Sequence, residues 1–204
     1  MSAELRDCIE LDTPIQRMFG GKELTVLKRS PILKGEGVKH GNGEAVLVFP
    51  GWNEGDADMM HLSNFLRIIG YDPILSGLSY NFGGFFDFTT ALKLSNEVAR
   101  KRGEHKIVGH SLGGKWGTDI ATRQPMVKSV VAIGAPMMNL VPTDSISASI
   151  FNLQSPGDKL LRNTHSYLQE NDHAQNLIVE DPTHIGLIVS EPTYIEVARV
   201  LSVI

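Results

Sequence analysis

The chain has 204 residues, 42% of them hydrophobic and 21% charged, which is the balance of a soluble globular protein with room for one domain and not for two. A formal net charge of −4 argues against a nucleic acid or an anionic membrane surface as partner. The most basic stretch, residues 22–39, is interrupted by Glu23 and Glu36 and reads as a solvated surface. Cys8 is the single cysteine, so no intrachain disulfide forms and a reducing compartment suits the chain. Residues 1–11 carry Glu4, Asp7 and Glu10 without an apolar run, and no stretch nears the roughly 20 apolar residues of a membrane span. These features are those expected of a cytoplasmic protein.

From Ala45 onward, short apolar runs alternate with longer amphipathic ones. Ala45-Val46-Leu47-Val48-Phe49 is a continuous apolar run stopped by Pro50-Gly51, the pattern of a buried strand. Met59, Leu62, Phe65, Leu66 and Ile69 then recur at helical spacing, and Gly70 closes that helix. A short strand over residues 72–75 leads into a loop rich in glycine and aromatics, Ser79-Tyr80-Asn81-Phe82-Gly83-Gly84-Phe85-Phe86. A helix follows over residues 87–102, with Phe88, Leu92, Val98 and Ala99 facing inward. Lys106-Ile107-Val108-Gly109 is a strand that enters a helix through His110-Ser111-Leu112-Gly113-Gly114. Residues 129–133, 148–153 and 176–179 are further strands, and a last helix over residues 191–203 carries Ile195, Val197, Ala198, Val200 and Leu201. In the first 44 residues, 4–11 read as a short helix and 24–33 as an irregular or edge strand, and this extension is assigned a packing role. Alternating strands and helices predict an α/β fold, a three-layer α/β/α sandwich around a mostly parallel sheet. The ligand site of such a sheet lies beyond the carboxyl ends of its strands.

Gly109-His110-Ser111-Leu112-Gly113 matches G-x-S-x-G between a predicted strand and a predicted helix. A serine on so sharp a turn projects its hydroxyl outward, and a side chain at either flanking glycine would crowd the turn. The N–H of Leu112, at the helix N-terminus, then faces the place where a reacting carbonyl oxygen would gain charge. The other reading of the glycines is a plain helix N-cap by Ser111. With the second glycine, Gly114, the motif resembles the nucleophile turn of the α/β-hydrolase superfamily in its lipase and esterase branch. The resemblance covers residues 45–204. It includes Val46-Leu47-Val48-Phe49-Pro50-Gly51-Trp52, the serine turn, an acid-bearing loop and a late histidine, in the usual chain order.

The resemblance implies a second oxyanion donor on the loop Pro50-Gly51-Trp52-Asn53, namely the N–H of Trp52, with Asn53 as substitute or neighbour. Pro50 stands where the family often has histidine, a departure that leaves a backbone donor intact. A general base and an orienting carboxylate are also needed. Of the seven histidines, His40, His61, His105 and His110 precede the serine, and the order Ser…Asp/Glu…His favours a later one. His184, in Asp181-Pro182-Thr183-His184-Ile185-Gly186-Leu187, fits the family's position better than His165 or His173, which fall in a polar stretch. Asp158, after the strand over residues 148–153 in Gln154-Ser155-Pro156-Gly157-Asp158, is the acid. Asp144, Glu180 and Asp181 compete with it.

Between residues 134 and 148 the connection is too short for a cap domain, so an open site is expected. Met137, Met138, Leu140 and Val141 line one edge, the aromatic loop with Phe82 lines the other, and His110 and Asn53 adjoin the substrate. The expected substrate is then a small-molecule ester with an apolar acyl or alkyl group. Thioester or amide hydrolysis and acyl transfer use the same triad, and a catalytically silent binding protein on this fold is the alternative from another class. No cofactor is implied, and no His-Glu-x-x-His or Cys-x-x-Cys spacing suggests a metal.

Overall fold

A computed structural model of the protein describes residues 13–137, 146–161, 168–180 and 182–203. The helix expected over residues 4–11 lies outside these, as does Cys8. Six strands form one sheet: β1 Ala45–Phe49, β2 Asp72–Leu75, β3 His105–His110, β4 Val127–Ile133, β5 Ser149–Gln154 and β6 Ala174–Ile178. Their order is β2-β1-β3-β4-β5-β6, and every neighbouring pair is parallel. The helices are α1 Pro14–Phe19, α2 Gly21–Arg29, α3 Met60–Ile68, α4 Phe85–Arg102, α5 Leu112–Ala121 and α6 Glu191–Leu201.

β1 shows why these strands read as unbroken apolar runs. Successive side chains point to opposite faces of a sheet, and here both faces are covered. Val46 and Val48 join a core with Leu24, Leu62, Phe65 and Val197, from α2, α3 and α6. Ala45, Leu47 and Phe49 join a second core with Ala91, Trp116 and Ile120, from α4 and α5. Helices thus flank the sheet on both sides, an arrangement that fits a three-layer α/β/α fold. Burying one such side chain is worth about 1.5–3 kcal/mol. The first core is tightened by Phe65 and Tyr194, whose ring centroids lie 4.8 Å apart, and by the Tyr194 hydroxyl, which donates to the Ile188 carbonyl at 3.0 Å.

The N-terminal segment departs from expectation. Residues 24–33, expected as a strand, form most of α2 and then a short 3₁₀ turn over Pro31–Lys34. Leu24 and Leu27 are buried one helical turn apart, while Thr25 and Val26 between them are exposed. Thr25 and Val26 are β-branched and favour a strand locally, but packing of the leucine face decides for the helix. Pro31 carries no N–H to continue it, and the Ser30 hydroxyl accepts from the Ile32 N–H at 3.1 Å.

Chain order reverses between β1 and β3. The path from β1 through α3 runs outward to β2, then returns through α4 to place β3 on the other side of β1. Phe49 pairs with Gly109 in register, so the loops that begin at Pro50 and Ser111 leave the sheet side by side. A crevice outside the carboxyl ends at such a switch point is where open parallel sheets take their ligands.

Candidate active site

Ser111 stands between the last residue of β3 and the first of α5, with φ 49° and ψ −119°. Among the described residues, only Ser111 and Asn53 combine a side chain with positive φ. A backbone so placed costs about 1–3 kcal/mol and is kept only where its surroundings impose it. Here the glycines on either side permit the turn. A Cβ on Gly109 would lie 2.4 Å from the Gly113 carbonyl group, and one on Gly113 would lie 2.5 Å from the Phe49 oxygen. The Ser111 N–H donates to the Ile133 carbonyl at 2.8 Å, fixing the turn to the end of β4.

Asp158 and His184 meet although 26 residues separate them: Oδ2 of the carboxylate lies 2.6 Å from Nδ1 of the imidazole. The other carboxylate oxygen accepts the N–H groups of Leu160 and Leu161 at 2.9 and 3.1 Å, so Asp158 caps its own loop as well. Burial pushes the Asp158 carboxyl up. The hydrogen bond and charge of His184, with the two N–H groups, outweigh burial and hold it below its ordinary range. Glu180 is exposed, and Asp144 and Asp181 lie outside the described residues, as does His165. His40 is bonded to the Gly35 carbonyl at 3.1 Å, His105 to Ser95 at 2.9 Å, and His173 is exposed.

The Asp158–His184 couple adjoins the serine turn. His110, next to Ser111, has Nε2 3.0 Å from the His184 carbonyl, and the two imidazole centroids are 4.7 Å apart. Gly134, one residue beyond the partner of the Ser111 N–H, has a Cβ direction ending 3.5 Å from both Asp158 Oδ2 and His184 Nδ1. The described residues include no hydrogen bond between the Ser111 hydroxyl and His184. The loop carrying His184 rests on the N-terminal segment. The Thr183 hydroxyl donates to the Phe19 carbonyl at 2.7 Å, and the Thr183 N–H to Glu23 at 3.3 Å. The extension therefore supports the site as well as packing on the domain.

The loop after β1 lies against the N-terminus of α5. A Cβ on Gly83 would come within 3.1 Å of the Leu112 side chain and 3.2 Å of the Trp52 ring. Leu112 is the first residue of α5, so its N–H has no acceptor within the helix. Asn53 cannot stand in for Trp52 as a donor, because its N–H is already given to the Asn81 carbonyl at 2.6 Å. Asn81 is fully buried and ties this loop down: its amide donates to the Pro50 carbonyl at 2.9 Å, its N–H to the Glu54 carbonyl at 2.7 Å, and its side-chain oxygen accepts from the Gly83 N–H at 2.8 Å. Neither Asn81 nor Glu54 stands out in the sequence. Their signal was weak, since each is one of several polar residues in a glycine-rich loop.

Two expected substrate contacts, His110 and Met137, fall elsewhere. His110 has no exposed surface, and both its ring nitrogens are occupied by protein. It is a strand-end residue whose side chain turns under the loops. Met137 is buried in the core with Phe49, Ala91 and Trp116, because the chain leaving β4 folds back onto that layer. Met138, Leu140 and Val141 lie outside the described residues. Phe82 is exposed and stacks on Tyr80, centroids 6.0 Å apart. A cavity of about 450 Å³ opens beside His184, with mostly apolar walls that include Phe19, Lys159, Leu160, Thr183 and Ile185.

No protein-family model matches the chain, and no curated protein is significantly similar to it. Among the described residues no group of histidine, cysteine, aspartate and glutamate side chains is placed to hold a metal ion. No described helix is long and apolar enough to cross a membrane.

Proposed function

We propose that the protein is a serine hydrolase of the α/β-hydrolase fold that cleaves carboxylic esters through an acyl-serine intermediate. The observation that carries the reading is the positive-φ Ser111 at the topological switch point, with the Asp158–His184 couple against the same turn. A hydrogen-bonded carboxylate–imidazole pair beside a serine held in a strained turn is the recurring arrangement of acyl transfer.

In this reading His184 Nε2 takes the Ser111 proton as the hydroxyl oxygen bonds to the ester carbonyl carbon. Asp158 holds Nδ1–H and stabilises the imidazolium. The N–H groups of Trp52 and Leu112 receive the oxyanion, each worth about 3–4 kcal/mol. Collapse breaks the bond to the leaving oxygen, and His184 Nε2 returns the proton to the departing alcohol. Water, deprotonated by the same nitrogen, then attacks the acyl carbon and releases Ser111. The cavity beside His184 suits an apolar portion of the ester.

Labelling with a fluorophosphonate, wild type beside Ser111→Ala, tests the reading directly, followed by a panel of esters, thioesters and amides. The expected outcome is an adduct on Ser111, absent from the variant, and ester hydrolysis that falls with it. A folded wild type that neither labels nor turns over any of the panel would overturn it in favour of a silent binding protein.

A further inference from the structure

Behind Ser111 lies a second imidazole–carboxylate couple that acyl transfer does not use. Glu54 and His110 are buried, with 3% and 0% of their surfaces exposed. His110 Nδ1 lies 2.8 Å from the Glu54 carboxylate, and Nε2 lies 3.0 Å from the His184 carbonyl. The same carboxylate accepts the Gly51 N–H at 2.7 Å. One unbroken chain of bonds thus runs from Gly51, through Glu54 and His110, to the backbone of His184. It passes under Ser111, the residue that follows His110.

We propose that Glu54 and His110 are positioning residues, a buried brace that fixes the loop carrying Gly51 and Trp52 and the loop carrying His184 to one another across Ser111. As a statement about catalysis this rests on the proposed hydrolase function, since those two loops would supply the oxyanion donor and the base. The hydrogen-bond partners and the charge on Glu54 together indicate the protonation state. Carboxylate and carbonyl oxygens are both acceptors, so an imidazole that satisfies both while Glu54 stays ionised carries a proton on each nitrogen. The energetics agree. Burial pushes His110 down, but the Glu54 charge and hydrogen bond, the His184 carbonyl and the Asp158 charge hold it above its ordinary value. Burial pushes Glu54 up, and the charge and hydrogen bond of His110, the Gly51 N–H and the charge of His184 hold it below. A buried ion pair with every donor and acceptor engaged has one low-energy arrangement, and that rigidity is what a positioning element requires.

The test uses the whole chain, with Glu54→Gln, His110→Gln and the double variant. In wild type near pH 6.5, imidazole ¹⁵N spectra are expected to show His110 protonated at both nitrogens. Glu54→Gln should make His110 neutral and shift the backbone amides of Gly51 and Trp52 together with those of Thr183, His184 and Ile185. A neutral His110 in wild type, or shifts confined to one of the two loops in a folded variant, would overturn the brace. This arm needs no turnover, so it decides the brace even if every ester fails and the hydrolase reading falls. In the kinetic arm each single variant should lose kcat 10- to 100-fold with KM within threefold, and the double variant should lose no more than the worse single one. Folded variants that keep kcat within twofold of wild type, or losses that multiply in the double variant, would refute the positioning role.

Discussion

Replacing Asp158 by asparagine removes one charge and almost no volume, and the surroundings of the carboxylate dictate how the amide sits. One oxygen accepts two backbone N–H groups, from Leu160 and Leu161, and the other faces His184 Nδ1. The amide oxygen therefore takes the first place, since the reverse orientation forfeits two hydrogen bonds, at about 1 kcal/mol each. The NH₂ group then points at Nδ1 and stabilises the tautomer with its proton on Nε2, which cannot accept from Ser111. About 2 kcal/mol is lost to the wrong tautomer, and about 3 kcal/mol more to the missing charge-assisted bond on the imidazolium. Together about 5 kcal/mol lowers kcat/KM by roughly 5,000-fold. Hydrolysis of a short p-nitrophenyl ester near neutral pH, with circular dichroism to establish folding, measures this. A folded variant that keeps more than about a tenth of wild-type kcat/KM would refute both the orientation argument and the role of Asp158.

Trp52 is 67% exposed and is proposed to act through its backbone. Trp52→Ala should therefore change kcat by less than about fivefold, whereas Trp52→Pro, which deletes the N–H, should cost about 10²–10³ in kcat; equal effects in folded proteins would contradict a backbone donor. Leu160 is 71% exposed and lines the cavity beside His184, so Leu160→Trp should leave Tm unchanged. It should raise KM for an ester with a bulky apolar group about tenfold, as one lost apolar contact of about 1.4 kcal/mol implies, and spare a short acetate. The Asp158 carboxyl is held below its ordinary 3.8. Its contribution to stability is therefore complete well above pH 3.8 and disappears as the pH falls through its lowered value. The Tm gap between wild type and Asp158→Asn should narrow on acidification through that range, and a gap that widens would reverse the assignment.

Much of the fold was legible because its signals are local. Strands buried on both faces must be apolar at every position, so Ala45–Phe49 could be read with both bounds intact, and the alternation of strands and helices pointed to a mostly parallel sheet, which is parallel at every described pair. The serine turn was legible for the same reason: a sharp strand-to-helix turn admits only glycine at Gly109 and Gly113, whose Cβ positions fall on backbone atoms. Resemblance to the hydrolase loops, with the chain order of serine, acid and histidine, favoured Asp158 and His184, and the fold brings those two together. Residues 24–33 misled because β-branched Thr25 and Val26 speak for a strand locally, while burial of Leu24 and Leu27 speaks for a helix only once there is a core to bury them in.

What the sequence by itself determined was the set of elements from Ala45 onward and the sharp turn at Ser111, because both are written in adjacent residues. Only the tertiary structure decided what His110 does. Its partners lie 56 and 74 residues away, and nothing in Gly109-His110-Ser111 distinguishes an imidazole that faces substrate from one tucked beneath the loops. The same holds for Asn81, for Met137 turned into the core, and for the cavity where α1 meets the loops of Asp158 and His184. Each depends on contacts between segments far apart in the chain, which are fixed by packing and leave no local pattern to read.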